Sequence, residues 1–120
     1  MESKELEVVY YRAKDYLYLH VVPRRPAVME ETNYEFYIRY DYENTNEIVG
    51  FEWLGFSDYF SAIDEPGVIP DLPLRFNIEG ADLKGLTLRQ VLYWAYRRYV
   101  LRLPSPRLER MAVDLAPLRI

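Results

Sequence analysis

The chain has 120 residues, a net charge of -4 and no cysteine. That length fits one domain with one core, and the missing cysteines exclude disulfides, thiolate nucleophiles and thiolate metal sites. Half the residues are hydrophobic and 16% are aromatic, which excludes a disordered acidic tail.

Residues 5–12 (ELEVVYYR) alternate as a strand, with Leu6, Val8 and Tyr10 on one face and Val9 and Tyr11 on the other. After the short connection Ala13-Lys14-Asp15, residues 16–22 (YLYLHVV) alternate again. Leu17, Leu19 and Val21 oppose Tyr16, Tyr18 and His20, and the short spacing predicts an antiparallel hairpin. Pro23 and Pro26 bracket Arg24-Arg25 and end the pairing, and 27–34 reads as a polar connection. Residues 35–41 form the next strand, with Phe36, Ile38 and Tyr40 against Glu35, Tyr37, Arg39 and Asp41. Residues 42–46 (YENTN) turn, since Asn44 and Asn46 tolerate left-handed backbone. Residues 47–54 (EIVGFEWL) form a fourth strand, where Gly50 predicts a bulge or a close neighbour.

Pro66, Gly67, Pro70 and Pro73 make 61–73 a loop, and 74–78 (LRFNI) is a candidate short fifth strand. Glu79–Gly85 reads as a loop. Thr87 with Gln90 is a capping box, and no proline or glycine follows until Pro104. Leu88, Val91, Leu92, Ala95, Tyr99 and Leu103 recur at helical spacing as a core stripe. Leu108, Met111 and Leu115 allow a second short helix. The expected fold is therefore α+β, an antiparallel meander of four or five strands with one long C-terminal helix packed on it. It is read as a single domain: meander 1–60, loop 61–85, helix 86–103, C-terminal element 104–120.

The hairpin YRAKDYLYL, the segment FYIRYDYENTNE and the strand IVGFEWL together resemble a family of small β-rich prokaryotic proteins classed as a domain of unknown function. Its pattern runs roughly Y-x-x-x-x-D-x-LYI and then D-Y-D-x-x-G-x-IVGIEIL. Asp15, Leu17, Tyr18, Leu19, Asp41, Ile48, Val49, Gly50 and Glu52 match it. The resemblance covers about residues 8–57. It departs in a longer turn, with Asn46 near the family's glycine, and in all of 61–120. It implies an antiparallel meander and no particular activity.

Charge is unevenly spread. Residues 1–83 hold 17 acidic and 7 basic side chains, and 84–120 hold 2 and 8. Either the basic segment folds onto the acidic one, or it offers a basic face to an anionic partner. Arginine outnumbers lysine 12 to 3 beside eight prolines and one glutamine, a composition compatible with a heat-adapted source. The opening MESKELEVVYYR has no signal-type apolar run, and no stretch nears the ~20 apolar residues of a membrane span. A cytoplasmic location without membrane contact is expected.

Candidate chemistry is sparse. His20 is the only histidine, so a two-histidine metal site does not fit within one chain. It is either a half-buried sheet residue or a general base or pH-sensitive contact. Glu30, Glu31, Asp58, Asp64, Glu65 and Asp71 read as solvated loop charge. Glu52 is different, because its strand position predicts partial burial and a cross-strand ion pair with Arg39. No G-x-S-x-G, G-x-G-x-x-G or Walker loop occurs, so no catalytic residue, cofactor or metal is assigned. Tyr16, Tyr18 and Tyr37 are ordinary sheet packing or a stacking surface, and the acidic first half argues against nucleic acid there.

On the helical wheel Gln90, Trp94, Arg97 and Leu101 fall opposite the core stripe. A helix apolar on both sides is covered by its own chain or meets a partner. Trp94, Arg97, Arg98 and Leu101 are therefore the candidate partner interface. The reading is a non-enzymatic protein-interaction module, a homodimer using helix 87–103 or an exposed sheet edge. The rivals are a nucleic-acid-associated protein using Arg97, Arg98, Arg102, Arg107 and Arg110, an antitoxin-like binder of a small basic protein partner, and an enzyme with a carboxylate site.

Overall fold

The computed structural model describes residues 2–32, 35–60 and 72–102. Seven strands form one sheet: β1 (Glu2–Tyr11), β2 (Tyr16–Val21), β3 (Ala27–Glu31), β4 (Tyr37–Asp41), β5 (Ile48–Leu54), β6 (Leu74–Ile78) and β7 (Leu83–Leu86). Their order is β3-β4-β5-β2-β1-β6-β7. Every neighbouring pair is antiparallel except β1 and β6, which run parallel. Two α-helices, α1 (Phe56–Phe60) and α2 (Leu88–Ala95), and a π-helical turn at Tyr96–Val100 complete the described elements. The fold is α+β, as expected, but the sheet is mixed and larger than a four- or five-stranded meander.

The alternation in β1 and β2 produces the predicted hairpin. Tyr11 pairs with Tyr16 and Leu6 with Val21 across a turn at Arg12–Asp15, where Asp15 adopts φ 57°. In β5 the pairing shifts between Arg39 and Tyr40, so Arg39 faces Gly50 while Tyr40 faces Ile48. That is the bulge Gly50 announced, and it lets Ile48 and Tyr40 both pack on the core.

Two strands lie where loops were expected. β3 is exposed at four of its five positions, so an amphipathic pattern never forms in AVMEE. β7 has only four residues and contains Gly85 at φ 69°. The parallel β1–β6 pairing joins Leu6 to Ile78, a non-local contact that no local periodicity encodes. β6 itself occupies the residues expected for a short fifth strand.

One face of the sheet carries the core. Leu6, Leu17, Leu19, Phe51, Trp53 and Phe76 are fully buried there, each such side chain stabilising the fold by roughly 1.5–3 kcal/mol. Leu88, Val91, Leu92 and Ala95 of α2 join the same cluster. The capping box forms as predicted: the Gln90 amide donates to Thr87 Oγ1 at 3.2 Å and the Thr87 amide to Gln90 Oε1 at 3.0 Å.

The helix is not one long α-helix over 86–103. After Ala95 the chain widens into a π-helical turn, Tyr96–Val100, and the Leu101 amide donates to the Tyr96 carbonyl five residues back. Each residue beyond Ala95 therefore leaves the 100° wheel. Trp94 is only 5% exposed and belongs to the core, while Leu101 is 50% exposed. The shared outer line of Trp94 and Leu101 does not exist. Leu103, the 104–120 element, Arg107, Arg110 and the loop acids Asp64, Glu65 and Asp71 lie outside the described residues.

Candidate functional site

The face of the sheet away from the helices gathers polar and aromatic side chains by strand alternation. Register sets them in two rows. Tyr37, Glu52, Tyr18 and Val9 lie abreast, and beside them Arg39, Gly50, His20 and Glu7. The predicted common face of Tyr16, Tyr18 and His20 holds. Tyr16, Tyr18, His20, Arg39 and Glu52, with Tyr11, Lys14 and Arg24, line a groove of about 540 Å³.

Gly50 shapes its floor. A Cβ there would stand 3.2 Å from Arg39 Cδ and 2.7 Å from the Leu19 carbonyl oxygen. The missing side chain lets Arg39 lie across β5, and Arg39 Nη1 donates to Glu52 Oε1 at 3.2 Å. This is the cross-strand pair expected from sequence. Glu52 is 7% exposed.

Tyr18 is central among the rings. The His20 ring is parallel to it within 2° at 6.0 Å, and Tyr11 and Tyr16 meet it edge-on at 5.4 and 6.4 Å. Burial, then the Glu52 charge, raises the Tyr18 pKa and keeps the phenol protonated. Burial, then the charges of Arg24 and Arg39, lowers that of His20 against the opposing pull of Glu7, so the imidazole is held neutral.

Three cations border the groove: Lys14, Arg24 and Arg39. Lys14 sits in the exposed hairpin turn, with Nζ 5.9 Å from the centre of the Tyr16 ring. Arg24 is held at the rim by Glu7, its Nε at 2.8 Å from Oε1. Sequence reasoning placed Tyr16, Tyr18, His20, Arg39 and Glu52 but missed Lys14 and Arg24. Their only signal was a position in a turn or just beyond a strand whose neighbours face this side.

A second feature is the outer edge of β3, beyond which no strand lies among the described residues. The Thr32 amide donates to the Phe36 carbonyl and the Tyr42 amide to the Pro26 carbonyl. With β3–β4 register continuous between them, the even-numbered residues of β3 bond to β4. The backbone groups of Ala27, Met29 and Glu31 therefore point outward. Val28 and Met29 are 40% and 51% exposed.

The four residues expected at a partner interface do not share one exposed surface. Trp94 is buried against Tyr99, edge-on at 5.7 Å. Arg97 lies over the Tyr93 ring and Arg98 over Tyr99, and Leu101 is solvated. Among the described residues no group of three or more His, Cys, Asp or Glu is placed to hold a metal, and no helix is long and apolar enough to cross a membrane. Comparison with protein-family models, curated proteins and solved structures gives no match.

Proposed function

We propose that this chain is a non-enzymatic interaction module that pairs with a second copy of itself along the outer edge of β3. The observation that carries the reading is the row of outward backbone groups at Ala27, Met29 and Glu31, flanked by exposed Val28 and Met29. Such an edge is a template for another strand. The opposite edge, β7, is short and broken in register by comparison.

Sequence favours a two-fold antiparallel pairing centred on Met29. In that register Ala27 faces the partner's Glu31, Val28 faces the partner's Glu30, and the two Met29 residues meet. The acidic side chains then stand at opposite ends and never face one another. A register centred on Glu31 would set like charges opposite. The helix offers a poorer surface, because Trp94 is committed to the core. The likeness of residues 8–57 to small β-rich proteins of unknown function is part of this proposal as a likeness of fold. A cognate partner strand in place of a second copy is the alternative occupant.

Sedimentation equilibrium of the wild type, Met29→Lys and Met29→Pro tests the reading. Proline at 29 removes an outward N–H and no β3–β4 bond. The expected result is a wild-type dimer and two monomeric variants. A monomeric wild type, or dimers that survive both substitutions, overturns it.

A further inference from the structure

We infer that the groove on the open sheet face binds a mononucleotide of the guanine type, its base on the tyrosine floor against Glu52 and its phosphate at Lys14, at the hairpin-turn end. Glu52 carries the argument. Its side chain is 10% exposed and lines an open groove. One oxygen accepts from Arg39 at 3.2 Å. Among the described residues no other donor bonds this carboxylate. Neither of its oxygens is sealed away without a partner, so the carboxylate presents spare acceptor capacity to the groove. A ligand edge with adjacent N–H donors would fill it. Guanine offers such an edge in its ring N–H and exocyclic amine, whereas adenine puts a ring acceptor where the carboxylate needs a donor.

The surroundings fit the rest of such a molecule. Tyr18, with Tyr11, Tyr16 and His20 around it, provides ring surface for a flat heterocycle. Arg39 pairs with Glu52 and Arg24 with Glu7 at the border, which leaves Lys14 as a net positive charge in the lining, within a chain whose net charge is -4. That local excess complements an anion and disfavours the cationic guest of an aromatic cage. Lys14 is therefore the phosphate contact. A groove of about 540 Å³ falls within the roughly 300–1,000 Å³ of small-molecule sites. With no glycine-rich phosphate loop, the phosphate is held by side chains.

Calorimetric titration with GMP, AMP, guanosine and ribose 5-phosphate tests this on wild type, Lys14→Ala, Tyr18→Ala and Glu52→Gln. GMP is expected to bind about tenfold more tightly than AMP and than ribose 5-phosphate. Lys14→Ala, in an exposed turn, should weaken GMP several-fold and leave guanosine unchanged. Tyr18→Ala should weaken both by about tenfold. Glu52→Gln should erase the preference for GMP over AMP. Equal binding of GMP and AMP, ribose 5-phosphate binding as tightly as GMP, or no heat with GMP overturns the inference. Met29→Lys should bind GMP as the wild type does, so the groove and the β3 edge succeed or fail separately.

Discussion

The carboxylate of Asp15 caps the amide of Ser57, 42 positions further along the chain, at 3.0 and 3.1 Å from its two oxygens. The Ser57 hydroxyl donates to the same carboxylate at 2.6 Å and the Tyr10 hydroxyl at 2.5 Å. The Asp15 carbonyl accepts from the Gly55 and Phe56 amides. One turn residue thus fastens the β1–β2 hairpin to the start of α1, whose N-cap position, Gly55, has no side chain to cap it. Burial opposes ionisation of Asp15, but the Ser57 and Tyr10 donors outweigh it and hold its carboxyl below the ordinary value.

Asp15→Ala should cost about 1–2 kcal/mol in urea unfolding at neutral pH, the scale of a lost cap. Because the folded value is depressed, the contribution of ionised Asp15 is full above 3.8, its ordinary value, and is lost as pH falls through the folded value. Asp15→Asn should lose less at neutral pH, since asparagine tolerates the φ of 57°. It should also lack that acid-dependent portion of the loss.

Gly50→Ala should destabilise by about 1–3 kcal/mol, the range of overpacking. The new methyl would meet the Leu19 carbonyl at 2.7 Å, and backbone on a central strand must move to relieve it. Chemical denaturation measures the loss. The same methyl would also stand 3.2 Å from Arg39 Cδ, so the Arg39 side chain must shift slightly over Glu52.

Trp94→Ala should cost about 3–5 kcal/mol, as for a large core aromatic, and Leu101→Ala no more than about 0.5 kcal/mol. Trp94→Phe should lose less than Trp94→Ala, because Trp94 Nε1 has no hydrogen-bond partner among the described residues. Thermal unfolding of the three variants separates a core residue from a surface one.

These residues show where the sequence was readable and where it was not. Alternation revealed β1, β2, β4 and β5, and with them the common face of Tyr16, Tyr18 and His20 and the Arg39–Glu52 pair. Each depends on contacts between neighbouring or nearly neighbouring segments. Alternation missed β3, whose side chains have no buried face, and it could not reveal the β1–β6 pairing across some seventy residues. The cap on Ser57 was hidden for the same reason, since Asp15 acts from a distant turn. Leu101 was misplaced because an α-helical wheel was continued through a π-helical turn, whereas Trp94 sits within α2, which is buried on more than its core stripe, Gln90 included.

His20 should confer a pH dependence of its own. Burial, followed by Arg24 and Arg39, lowers its folded pKa below the ordinary 6.5. The unfolded chain therefore takes up the proton first as pH falls. Its share of stability is complete above 6.5 and declines as pH drops below that value. Unfolding free energies measured across this interval should flatten in His20→Gln.

Amide hydrogen exchange along β3 is the most direct measurement of self-pairing. Val28 and Glu30 bond to β4 and should be protected at any protein concentration. The Ala27, Met29 and Glu31 amides point outward, so they should exchange freely in dilute solution and slow together as concentration rises. Outward amides that exchange equally fast at every concentration would contradict pairing through this edge.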